Sequence, residues 1–363
     1  MTGPPPTPPP APHPVLRSRA GFEVELLAPR GASRADLAVE LAARTGGTVR
    51  RTFHVDTETS ARAGVAAFWH LTPGFEVVDP GGALVCSLVD DVTIVADLDR
   101  RAAPVPGWYR IVTDDPRLVR LVARHADPAE GIGSVLEPVA ALFGTRVEEV
   151  GGVRRVNDAA GASIALAAGL PGERERPCEV VTPPLTTGHG AALEVLLGAA
   201  RDLGFTVPRE AAVHVHLDAA PFRDVAAFGR VVRLFHDERA ALRERFGTNP
   251  ACTRLAPLPA GLRELVDRPW AGWEELRAAA AALPVVKWAD VNLTHVLGTR
   301  AGPDTLEVRI LPGSTDARAV VTAAVELEGL LGLRGGDPPR AHGPVGGRVG
   351  GRAGGQSARF STR

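Results

Sequence analysis

Three short segments of the chain alternate apolar and ionisable residues with a period of two. Phe22-Glu23-Val24-Glu25-Leu26, Val213-His214-Val215-His216-Leu217 and Leu306-Glu307-Val308-Arg309-Ile310 each predict a strand with an apolar side and a charged side. Longer apolar repeats predict helices over 33–45, with Ser33 as N-cap, and over 116–125, 135–143, 191–203, 273–283 and 317–331. A long helix over 225–246 turns Phe228, Val231, Val232, Phe235, Leu242 and Phe246 inward and is interrupted at Arg239. Two or three further strands are expected within 75–97, around a Pro-Gly-Gly turn at 80–82, and another at 178–181 that Pro183-Pro184 stop. Residues 287–297 read as extended. The connections between strands are long and variable, unlike regular βαβ units. They predict an α+β class with a largely antiparallel sheet packed by helices.

Composition narrows the setting. The 363 residues are 45% apolar and 23% charged, with 41 basic against 42 acidic side chains, so no bulk charge argues for nucleic acid or an anionic membrane as partner. The sequence contains no run of 18 apolar residues, and its first residues lack the basic-then-apolar order of a secretory signal. A cytoplasmic globular protein is expected. Residues 1–19 read as a disordered Pro-rich lead, 20–333 as the folded domain and 334–363 as a disordered Gly/Arg-rich tail. Cys86, Cys178 and Cys252 lack CxxC spacing, which argues against a disulfide framework or a cysteine zinc site. The single lysine, Lys287, stands out among so many arginines. Either chance or a need for a compact ammonium explains it.

The charged sides of the strands carry the candidate chemistry. Half-exposed strands alternate anyway, but Glu-x-Glu sets two like charges on one face with no evident neutraliser. Glu23, Glu25, Glu307 and Glu179 (in Cys178-Glu179-Val180-Val181), gathered with His214, His216 and Arg309, would repel one another unless cations were bound. An oxygen-rich site of this kind suits Mg²⁺ or Mn²⁺.

Five motifs in order, GFEVELLAP (21–29), CEVVTPPL (178–185), AVHVHLD (212–218), KWADVNL (287–293) and TLEVRILPG (305–313), resemble the amidoligase family of carboxylate–amine ligases, which has a glutamine-synthetase-like fold. The likeness covers roughly residues 20–330. It implies a curved antiparallel sheet with Mg–ATP on its concave face, phosphorylation of a carboxylate by ATP, and attack of an amine on the acyl phosphate to give an amide or peptide bond. By position, the resemblance makes Glu23, Glu25, Glu179, His214 and Glu307 metal ligands, with His214 and His216 sharing the His-x-His strand near metal and phosphates. Arg309 is then the cation that steadies the transferring phosphoryl group. Lys287 contacts a phosphate or the substrate carboxylate, with Asn292 hydrogen-bonding nearby, and Arg254 is a further phosphate candidate. The implied partners are a carboxylate and an amine, small or peptidic, and related ligases often form homo-oligomers.

Other readings stay open. A metal-dependent amide hydrolase would use His214, His216 and the carboxylates to activate water. A catalytically silent nucleotide- or peptide-binding relative would keep the fold alone. The charged loop Gly172-Glu173-Arg174-Glu175-Arg176 could recognise a carboxylate or simply be solvated, and Trp108-Tyr109-Arg110 with Asp114-Asp115 could line an amine pocket or be core. Asp90-Asp91 reads as a turn, His54 with Asp56 and Glu58 as a weak metal candidate, and Cys178 as buried packing.

Overall fold

The computed structural model describes residues 14–56, 68–252, 254–300 and 302–333. Most of the Pro-rich lead, the Gly/Arg tail and Glu58 lie outside them. The first half of the chain runs β1 (Ala20–Leu27), α1 (Arg34–Thr45), β2 (Thr48–Asp56), β3 (Trp69–Val78), β4 (Leu84–Val89), β5 (Tyr109–Thr113), α2 (Pro116–His125), α3 (Glu137–Phe143), β6 (Val147–Val150), β7 (Val153–Asn157) and β8 (Ser163–Gly169). The second half runs β9 (Pro177–Val181), α4 (His189–Asp202), β10 (Ala212–Asp218), α5 (Val225–Asp237), α6 (Arg239–Phe246), α7 (Ala260–Leu265), α8 (Trp273–Ala281), β11 (Val291–Asn292), β12 (Thr305–Pro312) and α9 (Ala317–Leu330).

The strands form one 12-stranded sheet in the order β11-β12-β10-β1-β9-β4-β3-β5-β8-β7-β6, with β2 added on β3. Its ladders are antiparallel, as the α+β reading expects. Phe22, Val24 and Leu26 of β1, Val213, Val215 and Leu217 of β10, and Leu306, Val308 and Ile310 of β12 belong to one apolar core. Each such buried side chain contributes about 1.5–3 kcal/mol. Helix α1 packs on α4, and α4 on α9. Ser33 caps α1 with its side chain while Asp36 accepts the Ser33 N–H at 2.7 Å, a reciprocal capping box. A second core, around Leu71, Tyr109, Ile111, Val156 and Ala165, lies under α2 and α3.

Two strands fall within 75–97, inside the expected two or three, and residues 90–97 form none, because Asp91 accepts both the Thr93 N–H and hydroxyl at 2.8 Å and closes a turn. Only Val291–Asn292 of the expected extended run pairs as a strand. Asn292 Oδ1 accepts from the Thr294 N–H at 3.0 Å and hydroxyl at 2.7 Å and curls the chain into turns. The long helix is interrupted where expected: α5 ends at Asp237, Glu238 is its cap, and Arg239 opens α6. Its guanidinium reaches Leu255 O at 3.0 Å and the buried Asp290 at 2.7 Å. Tyr109 is core, its hydroxyl donating to Pro128 O at 3.3 Å, and Asp115 is the N-cap of α2.

Candidate active site

Register turns the three alternating motifs into one cluster. On the β1–β10 ladder Glu23 stands opposite His214 and Gly21 opposite His216, and on the β1–β9 ladder Glu25 stands opposite Glu179. His216 pairs with Glu307 across β10–β12, and Asn292 with Glu307 across β11–β12. Between the Val213–Leu311 and Val215–Val308 pairs β12 carries one more residue than β10. This bulge at Arg309–Ile310, opposite His214, re-aims the end of the strand. The apolar neighbours of these residues all face the core, so period-two geometry sends the charged ones to the opposite face.

The distances are short. His214 Nδ1 lies 2.8 Å from Glu23 Oε2 and 3.6 Å from Glu307 Oε1, and His214 Nε2 lies 3.5 Å from Glu25 Oε1. His216 Nε2 is 3.0 Å from Glu23 Oε1, while its Nδ1 is 3.0 Å from Thr305 Oγ1. Glu307 pairs with Arg309 and accepts from Asn292 Nδ2 at 2.8 Å. Asn292 therefore has both ends of its amide engaged, one on Glu307 and one on Thr294, and it orients the carboxylate. Glu25 Oε2 accepts the Ala212 N–H at 2.8 Å.

The electrostatics divide the carboxylates into two kinds. Burial opposes the charge on Glu23, but the His216 and His214 imidazoles outweigh it and hold that carboxyl well below its ordinary range. Burial also opposes the charge on Glu307, and there Arg309 prevails and lowers it. Glu25 and Glu179 go the other way. Burial, joined by repulsion from Asp91 and Glu23 and by their own proximity, raises both well above the usual carboxylate range. His216 is largely withdrawn from water, which disfavours its charge, yet Glu23 and Glu307 raise it to about 9.

Two groups of side chains here have ligand atoms lying within 4.8 Å of one another: Glu23, Glu179 and His214, and Glu23, His216 and Glu307. Glu23 belongs to both. Carboxylate oxygens with one imidazole each suit Mg²⁺ or, better where imidazole ligates, Mn²⁺. The raised Glu25 and Glu179 agree with this, since burial and then mutual repulsion disfavour their charge where no cation offsets it. Among the described residues His54 joins no such group, and Glu58 lies outside them.

A family model described as "Putative amidoligase enzyme" matches residues 16–330. The chain belongs to this amidoligase family. No curated protein and no solved structure matches it. Among the described residues of the amidoligase chain, no helix is long and apolar enough to cross a membrane.

The remaining sequence candidates fall at different places. Arg254 lines a small cavity with Glu25, His214 and Arg309. Lys287 is half-buried in the turn leading to β11, with Nζ 5.7 Å from the Trp288 ring centroid. The 172–176 loop is half-buried and held to the turn beside it. Arg174 pairs with Asp90 and donates to Ile94 O at 2.6 Å and Asp91 O at 2.7 Å, and Arg176 donates to Ala28 O at 2.9 Å. Behind it the fully buried Arg34 donates to Arg174 O at 2.7 Å, Pro177 O at 3.1 Å and Pro73 O at 3.2 Å, and stacks 4.3 Å over Trp108. The loop clamps the Asp90-Asp91 turn in place.

That clamp exposes a residue the sequence reading passed over. Asp91, read as a plain turn, adds its charge to the burial that raises Glu25 and Glu179, and is itself raised, first by burial and then by Asp90. The signal was indirect: Val89 at the end of β4 pairs with Glu179, so the next residues must emerge beside the cluster. His295 is the second such residue. It follows β11, keeps a buried Nδ1 without a hydrogen-bond partner, and feels Glu307 and His216, although burial lowers its imidazole. An isolated histidine in a turn offers no sequence signal.

Proposed function

We propose that this amidoligase is an ATP-dependent carboxylate–amine ligase with a glutamine-synthetase-like fold, working on the polar face of β9, β1, β10 and β12. The observation that carries the reading is the pair of metal-capable triads sharing Glu23, flanked by Arg309. Glu23, Glu25, Glu179, His214 and Glu307 would hold divalent ions. Such ions, when bound, neutralise the triphosphate and the acidic cluster together.

The chain's own residues then position and balance charge. Asn292 and Arg309 fix Glu307 from two sides, and Thr305 holds His216 by Nδ1 so that Nε2 faces Glu23. Arg309 supplies a fixed positive fork for the phosphoryl group in transfer. Lys287 and Arg254 add an ammonium and a guanidinium for phosphate or substrate carboxylate. In the reaction a carboxylate oxygen attacks the terminal phosphorus of ATP and ADP leaves. The amine nitrogen then bonds to the acyl carbon, and the phosphate departs with one proton from that nitrogen.

The two imidazoles within the triads favour one competing reading, amide hydrolysis by metal-activated water. A single experiment separates them. Purified protein with Mg²⁺ or Mn²⁺ and ATP is screened for ADP release against pooled carboxylic acids and amines. Release that needs one member of each pool supports the ligase. Amide cleavage without nucleotide supports the hydrolase, and release with an amine alone points to a kinase acting on nitrogen.

A further inference from the structure

Arg254 and Leu255 border a half-open cavity together with Arg309, Glu25 and His214. The two arginines come from separate segments, and Asp290 joins those segments through its backbone. Its N–H donates to Ala256 O at 3.0 Å, and its carbonyl accepts the Arg309 N–H at 3.0 Å. The Ala256 N–H in turn donates to Trp288 O at 2.8 Å, so residues 254–256 run parallel to 288–290. Residues 288–290 lead into β11, which pairs with β12. Neighbouring strands lie about 4.8 Å apart, which sets the two arginine-bearing segments about 10 Å apart across Asp290.

Side chains lock this arrangement from outside the cavity. Asp290 is buried, and its carboxylate lies 2.7 Å from Arg239 Nε and 4.0 Å from Arg243. The same Arg239 guanidinium donates to Leu255 O at 3.0 Å and to Asp290 Oδ1 at 3.3 Å. One rigid, planar fork thus grips both the segment that carries Arg254 and the residue that accepts from the Arg309 backbone. Arg239 itself opens α6, outside the set of side chains that border the cavity.

We propose that Arg239 is a positioning residue: by clasping Asp290 and Leu255 together it sets the separation of the Arg254 and Arg309 guanidiniums, and with it their joint hold on one phosphate or carboxylate group. The inference rests on the ligase reading for the nature of the anion, and on the contacts above for the clasp. Glu307 is held separately, by Asn292 at 2.8 Å and by strand pairing, so the metal-capable triads keep their shape when the clasp is lost. Anion affinity and metal affinity should then part company. A displacement of about 1 Å in a group that positions substrate costs about 100-fold in favourable cases, so the effect on the anion is large enough to measure.

The test uses the full chain, titrated by calorimetry with Mn²⁺ and then, at saturating Mn²⁺, with inorganic phosphate, alongside melting curves. R254M serves to locate the phosphate and is expected to weaken it about tenfold or more. R239M leaves the buried Asp290 carboxylate with Arg243 alone and is expected to melt lower, since breaking a buried pair is costly. R239M/D290N removes that stranded charge. It is expected to recover the wild-type melting curve, yet to bind phosphate about tenfold or more weakly, with Mn²⁺ affinity within about twofold. R239K keeps a charge beside Asp290 without the planar fork, and the same split is expected there. A clasp serving stability alone would restore phosphate affinity together with the melting curve in R239M/D290N, and that result would overturn the proposal. Wild-type phosphate affinity in R239K would overturn it as well, as would phosphate bound equally by R254M or not bound by the wild type. Turnover is a separate arm. If no acid–amine pair consumes ATP, the ligase reading fails, while the phosphate and Mn²⁺ titrations still decide the clasp.

Discussion

Glu179→Gln tests the idea that the cluster is built for cations at the expense of the metal-free fold. Glu23 and Glu179 have oxygens within 4.8 Å of each other, and Glu25 stands directly opposite Glu179 on the neighbouring strand. Two unit charges at that separation repel by about 3.5 kcal/mol at an effective dielectric of roughly 20. Burial first, and then this repulsion, raises Glu179 well above its usual range. A carboxyl raised in the folded state favours folding while it is protonated and loses that advantage as pH climbs past its unfolded value. Without metal at pH 8, the neutral isostere should therefore make the protein more stable by about 1–3 kcal/mol. For a domain of this size that is a rise in Tm of about 2–6 °C. At pH 5 the difference should shrink.

Metal should reverse the order. An ion at about 100 times its Kd stabilises the native state by about 2.7 kcal/mol, and the variant has lost a ligand. Thermal melts of both proteins at pH 5 and pH 8, with EDTA and with saturating Mn²⁺, give the comparison. The expected outcome is a crossing, with the variant higher in EDTA and the wild type higher in Mn²⁺. A variant less stable in EDTA at pH 8, or equal stabilisation of both proteins by the metal, would refute the argument.

Three further outcomes follow from the same geometry. Metal binding should release protons, since His216 is raised to about 9 and Glu25 and Glu179 are raised too, while ligands must be deprotonated. Titration calorimetry at pH 7.5 in buffers of different ionisation enthalpy should show roughly one or more protons released per site and an affinity that weakens as pH falls. Glu307→Gln should abolish metal-dependent ADP release with a melting curve close to wild type, because Gln still accepts from Asn292; retained turnover would remove Glu307 from the site. Arg34→Met should cost about 3 kcal/mol in denaturant unfolding, since it removes hydrogen bonds to three carbonyls and loses the Trp108 stack, while Asp90 keeps Arg174. A loss under about 1 kcal/mol would show that the clamp behind Asp91 is dispensable.

The parts of this site legible in the sequence are those fixed by local geometry. Alternation with a period of two places Glu23 with Glu25, His214 with His216 and Glu307 with Arg309 on common faces whatever the rest of the chain does. Ser33 as the cap of α1 and the boundaries of α2 were equally local, whereas Asp115, read with an amine pocket, proves to be the N-cap of α2. Strands β5 to β8 were not, because short segments such as Val147–Val150 acquire strand character from their partners more than from their own residues.

What could not be read was register. Glu23 and His214 are separated by 191 residues, and a slip of one position on either strand would have sent an imidazole into the core. The apolar residues between the charged ones forbid that slip: Val213, Val215 and Leu217 are fully buried, so the face that must be apolar dictates which residues meet on the other. The same logic locates Asp91, which no motif announced. Once β4 is paired to β9 through Val89 and Glu179, the chain leaving β4 has to pass the cluster, and the Arg174–Asp90 pair decides where it stops. The acidic site is thus specified twice over, by carboxylates whose spacing is local and by hydrophobic neighbours whose burial fixes the long-range pairing. The second of these is what turns a set of alternating strands into one cluster of carboxylates and imidazoles.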